Sequence, residues 1–113
     1  MIRHRRVFKI EVFAPEDYAH KIMNAMAKAG AGRIGNYEHC FSITHVKGFW
    51  KPLENSSPYS GTPGKLSEAQ EVKIETRCNQ EDVGEVHKAI LTAHPYEEPV
   101  INIIAVEQIT LAK

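Results

Sequence analysis

Residues 93–99 have the sequence Ala-His-Pro-Tyr-Glu-Glu-Pro and bring together side chains that could bind a metal or move a proton. A turn at Pro95 would carry the imidazole of His94 toward the carboxylate of Glu97. Each proline also directs the residue before it toward extended backbone, so the segment is expected to be ordered. Alternatively, Tyr96 fills one end of the core while the prolines end a helix and start a strand. No nucleophile is evident nearby, and the sequence favours this structural interpretation.

A second group of side chains has the chemistry of zinc ligands, namely His39, Cys40 and His45. In an extended strand His39 and His45 would stand roughly 20 Å apart, which is too far for one ion. A divalent metal would therefore need a bend in the strand or ligands from a neighbouring subunit. In that case the candidate metal ligands are His39, Cys40, His45, His94 and Glu97.

Residues 30–35, Gly-Ala-Gly-Arg-Ile-Gly, match the pattern G-x-G-x-x-G of dinucleotide-binding proteins. In those proteins the pattern precedes a helix, whereas here it follows one, so we reject the dinucleotide interpretation. A helix stop followed by a turn remains. The alternative is an anion-binding turn in which Arg33 and backbone N–H groups are the donors.

Residues 47–70 contain prolines, glycines and polar residues without helical or strand periodicity, which predicts one long loop. Loops of this length usually serve as lids or binding segments, or are disordered. Trp50 is the most informative residue in it. A lone tryptophan in a loop either anchors the loop to the body of the protein or contacts a partner, and the sequence leaves both open.

Hydrophobic periodicity predicts the elements that position these residues. Strand 71–78 shows the clearest alternation, with Val72, Ile74 and Cys78 inward and the four charged residues, Glu71 among them, outward. The order β-α-β, long loop, β-α-β predicts an α+β fold, a ferredoxin-like split βαβ sandwich with one antiparallel sheet and two helices on one face. The predicted strands are 7–13, 40–46, 71–78 and 100–106, and the predicted helices are 15–29 and 79–93.

The second face of such a sheet would have no helix to cover it. Val7, Phe13, Ile104 and Val106 are expected there, and exposed apolar side chains of this kind favour packing against another subunit. The sequence therefore predicts a homo-oligomer.

Composition narrows the class of protein. The 113 residues predict a single domain over 1–113, and 14 basic against 14 acidic side chains give no sign of a nucleic-acid or membrane partner. The basic cluster at residues 3–6 is interpreted as a solvated tail. Two cysteines and the lack of a signal sequence or long apolar run favour a cytoplasmic protein.

Five segments taken together resemble the inserted domain of the YqfO-type dinuclear metal-centre proteins, the Nif-three-like family. This resemblance implies a fold similar to the PII and CutA proteins, which are ferredoxin-like and trimeric. In PII proteins the loop between the second and third strands binds ligands and partner proteins, and residues 47–70 occupy that place here. The segments that carry the resemblance are 30–40, 52–54, 64–66, 71–76 and 93–99.

The larger family members hold two metals on a second domain that has no counterpart in these residues, so neither that centre nor a hydrolase activity is carried over. We expect a stand-alone, non-catalytic, oligomeric binding or regulatory protein. The alternatives are a metal-binding protein or metal-dependent enzyme with ligands shared between subunits, and an interaction module that docks on a protein partner. The candidate ligand-binding residues are Arg33, Tyr37, Trp50, His94, Tyr96 and Glu97.

Overall fold

A computed structural model of the chain describes residues 2–111, and the side chains of residues 4–109. All neighbouring strands pair antiparallel in the order β2-β3-β1-β4, and both helices follow the first strand of a βαβ half. The predicted ferredoxin-like α+β fold is confirmed. The elements are β1 (Ile2–Pro15), α1 (Ala19–Lys28), β2 (Ser42–Trp50), β3 (Ser67–Asn79), α2 (Val83–Ala93) and β4 (Ile101–Leu111).

The hydrophobic core lies between one face of the sheet and the two helices. Side chains that alternate along β1 and β3 meet the apolar faces of α1 and α2 there, and each fully buried aliphatic side chain contributes about 1.5–3 kcal/mol. The inward side chains predicted for β3 are all buried in this core. The largest fully buried side chains are Ile10, Val12, Ile22, Met26, Val72, Ile74, Val86 and Ile90.

The helix ends follow the sequence signals only in part. Gly30 has φ 114°, which stops α1 as predicted. Pro15, predicted at the first helical position, instead ends β1 and is followed by a 3₁₀ turn over Glu16–Tyr18. Asn79, predicted as an N-cap, forms no side-chain cap, because its Oδ1 accepts a hydrogen bond from Arg5 at 2.6 Å.

The outer strands are longer than predicted. β1 begins at Ile2, so the basic residues expected to form a solvated tail are in a strand whose backbone pairs with β4 as far as Leu111. β3 ends opposite Val7, and beyond that point β1 and β4 continue as a two-stranded ribbon. This ribbon contributes to an elongated shape of 56 by 23 by 22 Å.

The predicted loop is shorter than expected, because strand pairing extends into both of its ends. β2 continues to Trp50 and β3 begins at Ser67, which leaves residues 51–66 as the loop. The added pairs, such as Lys47 with Gln70, mix polar, small and aromatic residues and lack the apolar alternation that predicts a strand. The second strand also starts later than predicted, at Ser42 instead of residue 40.

The sheet face opposite the helices carries both apolar and charged side chains. Ile104 is 42% exposed there, while Phe13 and Val106 are half-buried. Val7, expected on the exposed part of this face, is buried within the chain. Lys9 bridges Glu75 at 2.7 Å on the same face, so charged side chains interrupt its apolar part. Within residues 2–111 no helix has the length and apolar character needed to span a membrane.

Candidate functional site

A cleft of about 210 Å³ lies where residues 51–66 approach residues 94–100 across the end of the sheet. Most of its wall is formed by aromatic rings and prolines, and the buried carboxylate of Glu71 also lines it. Clefts that combine an apolar wall with a few fixed polar groups are typical of ligand sites. The apolar lining residues are Phe13, Phe49, Trp50, Pro52, Pro58, Tyr59, Tyr96 and Val100.

Glu71 is the polar group most enclosed at the cleft. The sequence predicted this residue to face solvent, yet its side chain is only 7% exposed. Its Oε2 accepts a hydrogen bond of 2.5 Å from the Tyr96 hydroxyl, which compensates for part of the loss of water.

Gly48 makes room for this carboxylate. An ideal Cβ at position 48 would lie 1.7 Å from Oε1 of Glu71, so any other residue there would force the side chain away. A glycine inside a strand often marks such a close approach. In the sequence Gly48 is one of the glycines that predict a loop, and the alternation of β3 gives no sign that Glu71 is buried.

His94 is held by backbone groups on both sides of its ring. Nε2 lies 2.7 Å from the carbonyl oxygen of Phe13 and must donate to it, while Nδ1 accepts the N–H of Tyr96 at 3.1 Å. Burial lowers the pKa of His94, although the Phe13 carbonyl and the charge of Glu71 act in the opposite direction. The imidazole is therefore held in one neutral tautomer, with both nitrogens occupied.

Tyr96 joins the polar and aromatic parts of the cleft. Burial raises the pKa of its phenol, and the hydrogen bond to Glu71 raises it further, so the hydroxyl stays protonated and donates. Its ring centroid lies 4.8 Å from His94, 5.8 Å from Tyr59 and 6.3 Å from Trp50. Tyr96 thus packs at the centre of an aromatic cluster.

Two contacts connect the loop to the rest of the protein. Trp50 donates its Nε1–H to the carbonyl oxygen of Ser60 at 3.0 Å, which matches the anchoring role considered for it. The Glu97 carboxylate accepts the N–H of Ser57 at 3.0 Å. The loop is therefore tied to both β2 and residues 94–100, which form two sides of the cleft.

The other sequence-predicted site residues lie outside this cleft. Arg33 and Tyr37 are in the connection 29–41, where Ile34 and Tyr37 exchange two backbone hydrogen bonds of 2.9 Å. His39 has φ 58° and its Nδ1 lies 3.7 Å from Glu38. No helix begins at the glycines of this connection, in agreement with the rejected dinucleotide site.

The candidate zinc ligands do not converge. Cys40 Sγ lies 3.9 Å from the carbonyl oxygen of Glu38, whereas Nδ1 of His45, on the helix-covered side of β2, lies 3.9 Å from Glu16. Among the side chains that the structure describes, no three histidines, cysteines or carboxylates are grouped as a metal site would require.

The sequence of this chain matches the family model described as CutA1 divalent ion tolerance protein over residues 54–112. The chain belongs to the CutA1 family. The matched residues include most of the loop and all of β3, α2 and β4. They therefore contain Glu71, His94 and Tyr96.

Relatives of known name match the chain over most of its length. The GTP cyclohydrolase 1 type 2 homolog of Bacillus subtilis is 37% identical over 100 residues, which are 88% of this chain and 27% of that protein. The protein of the same name from Halalkalibacterium halodurans is 36% identical over 97 residues, 86% of this chain and 26% of that protein. The chain thus spans about a quarter of the length of these curated relatives.

Solved structures agree with this relationship. A Bacillus cereus protein related to NIF3 superimposes with a TM-score of 0.79 at 35% identity, over 92% of this chain and 26% of that one. The periplasmic divalent cation tolerance protein CutA from Archaeoglobus fulgidus gives a TM-score of 0.64 at 21% identity, over 88% of this chain and 83% of that one, which shows the fold. The resemblance to the CutA-like module of Nif-three-like proteins is confirmed.

Proposed function

We propose that this chain is a non-catalytic, oligomeric binding or regulatory module whose ligand site is the cleft between the loop 51–66 and residues 94–100. The observation that carries this proposal is the hydrogen-bonded Glu71 carboxylate, enclosed beside aromatic rings that remain open to solvent on one side. An aromatic wall supplies binding energy, and a fixed polar group supplies selectivity.

The contacts of Tyr96, which lines the cleft, and of His94, which packs against Tyr96, favour binding over catalysis. A general acid or base needs a pKa near the working pH and a free position for the proton. His94 uses both ring nitrogens for backbone hydrogen bonds, and Tyr96 keeps its proton on a hydroxyl that already donates to Glu71. These contacts suit a rigid wall better than a proton-transfer pair.

The exposed apolar side chains of β4 support the oligomeric part of the proposal. Ile104 stands on the sheet face without helices, and Phe13 and Val106 are only half-buried there. Burial of such residues against a second copy of the chain would remove apolar area from water. A trimer is the assembly that the resemblance to PII and CutA proteins implies.

The only tryptophan of the chain, Trp50, lines the cleft, so its fluorescence reports binding there. We would titrate the protein with nucleotides, organic acids, amines and aromatic metabolites and follow both tryptophan emission and the unfolding temperature. Tyr59→Ala removes one aromatic ring from the wall of the cleft and should lower the affinity for the class of compound that binds by about tenfold. Tyr37→Ala, at a residue 74% exposed and outside the cleft, is the matched control.

Equal loss of affinity in the Tyr59 and Tyr37 variants would contradict the cleft as the site. No emission change and no thermal shift with any class would contradict small-molecule binding. A protein that co-purifies with the chain and is lost on Trp50→Ala would instead support the docking module.

Divalent metal binding is the second candidate, because the family model is described by tolerance to divalent ions. In a single chain His39, Cys40 and His45 are not grouped, so this candidate requires ligands from neighbouring subunits. Thermal-shift titration with zinc, manganese, cobalt and copper ions, repeated on His39→Ala, tests it. A metal-dependent shift that disappears in this variant would support the site, and no shift with any ion would end it.

A further inference from the structure

A second concave site lies at the opposite end of β3 from the cleft. This pocket of about 430 Å³ is formed by the start of β1, the end of β3 and the connection 29–41. Three arginines from these distant parts of the sequence line it, and no carboxylate is among its lining residues. The polar side chains around it are Arg5, Arg33, Arg77, Asn79 and Gln108.

The three arginines lack acidic partners among the described residues. The ion pairs of residues 4–109 use Arg6, lysines and histidines, and none of them uses Arg5, Arg33 or Arg77. The Arg5 guanidinium donates a hydrogen bond to the neutral amide oxygen of Asn79 at 2.6 Å. Like charges gathered at one concavity repel each other, and a bound anion would remove this repulsion.

The backbone of the connection is accessible from the same pocket. Gly35 has φ 56° and also lines the pocket. A Cβ at Gly35 would meet no atom within 4 Å, so a ligand can approach the backbone there. The N–H of Gly32 is already bonded to the Arg77 carbonyl oxygen at 2.9 Å, which fixes the connection beside β3.

The chemistry of these groups indicates what they would bind. A guanidinium presents a planar fork of N–H donors that matches two oxygens of a phosphate. Asp82 packs against Gly30, but its carboxyl is not part of the pocket lining. The chain as a whole has 14 basic and 14 acidic side chains, so the positive charge at the pocket is balanced elsewhere on the chain.

We propose that Arg5, Arg33 and Arg77 form a binding site for a small phosphate-bearing anion. This site is separate from the aromatic cleft and does not depend on the function proposed for it. The G-x-G-x-x-G pattern thus contributes the Arg33 side chain and the open backbone at Gly35 to anion binding, without the helix N-terminus that a dinucleotide site uses.

Calorimetric titration at matched ionic strength tests the site, with inorganic phosphate, pyrophosphate and a nucleoside triphosphate as probes and sodium chloride as the reference. We expect saturable binding of at least one phosphate probe. Arg33→Gln and Arg77→Gln should each weaken it by at least about tenfold, since each removes a charge-assisted contact. Stronger binding of the triphosphate than of inorganic phosphate would identify an organic phosphate as the ligand, and equal binding would identify free phosphate.

Arg6→Gln is the matched control, because it removes the same charge from the neighbouring position of β1, where Arg6 faces Glu107 at 3.8 Å. Its effect should stay below about twofold. Arg33→Lys keeps the charge without the fork and should lie between the wild type and Arg33→Gln. An equal loss in Arg6→Gln, saturation by no phosphate probe, or tighter binding of a single-stranded oligonucleotide would each overturn the proposal. Circular dichroism confirms that every variant is folded.

Discussion

At the scale of single residues, Gly48 determines where the Glu71 carboxylate lies. We expect Gly48→Ala to displace this side chain, because the new Cβ would overlap Oε1 at 1.7 Å. Loss of the buried hydrogen bond to Tyr96 should lower the free energy of unfolding by about 1–3 kcal/mol. Urea denaturation followed by Trp50 fluorescence measures this difference.

Gly84→Ala provides the control for the same chemical change. A Cβ at Gly84, in α2, would meet no atom within 4 Å, and alanine is the better helix former. This variant should be about 0.5–1 kcal/mol more stable than the wild type. If both variants were equally stable, the close packing of Gly48 on Glu71 would be disproved.

The lowered pKa of His94 makes the stability of the protein depend on pH. Its pKa is lowered in the folded state from the ordinary value of 6.5, so the unfolded chain takes up the proton first as the pH falls. Neutral His94 makes its full contribution to the free energy of unfolding above pH 6.5. Below that pH the contribution decreases by at most about 1.4 kcal/mol per pH unit, until the pH falls below the pKa of the folded state.

Urea denaturation between pH 7.5 and 5 measures this slope. His94→Gln should flatten the slope, whatever it does to the stability at pH 7.5. His20→Gln, at an exposed position of α1, should leave the slope unchanged. A slope that survives in His94→Gln would assign the pH dependence to another group.

At the scale of elements, the loop 51–66 is held by its contact with residues 94–100. Glu97→Ala removes the acceptor of the Ser57 N–H, so hydrogen exchange of peptides that contain Ser57 should become about tenfold faster. Hydrogen-exchange mass spectrometry measures the rate. Glu98→Ala removes the neighbouring exposed carboxylate and should leave this exchange rate unchanged. Equal rates in the two variants would show that the Glu97–Ser57 contact does not hold the loop.

The strands show how much of the structure the sequence could predict. Apolar alternation identified β3 and its core-facing side chains, because burial on one face imposes a period of two. The same pattern placed Glu71 on the outer face but not in a buried position, since its burial depends on Gly48 and Tyr96, which are distant in sequence. The ends of β2 and β3 next to the loop were missed because they lack apolar alternation, and strand pairing there depends on the neighbouring backbone.

At the scale of the whole molecule, the exposed apolar side chains of β4 predict self-association. Ile104→Glu should convert the oligomer to a monomer, because it places a charge where Ile104 would be buried between copies. Light scattering coupled to size-exclusion chromatography measures the mass. Leu91→Glu, at a residue of α2 that is 49% exposed, makes the same change on the helix side and should leave the mass unchanged. A wild-type protein that is monomeric at micromolar concentration would contradict the prediction.

The packing of Gly48 on Glu71 also constrains how this sequence can diverge. Because the two residues lie on paired strands and share one volume, neither position can change freely while the other stays the same. A larger residue at position 48 forces the Glu71 carboxylate to move, and a shorter residue at position 71 would remove this conflict. We therefore expect second-site changes at position 71 to restore the stability lost in Gly48→Ala. In descendants of this sequence, substitutions at positions 48 and 71 should occur together.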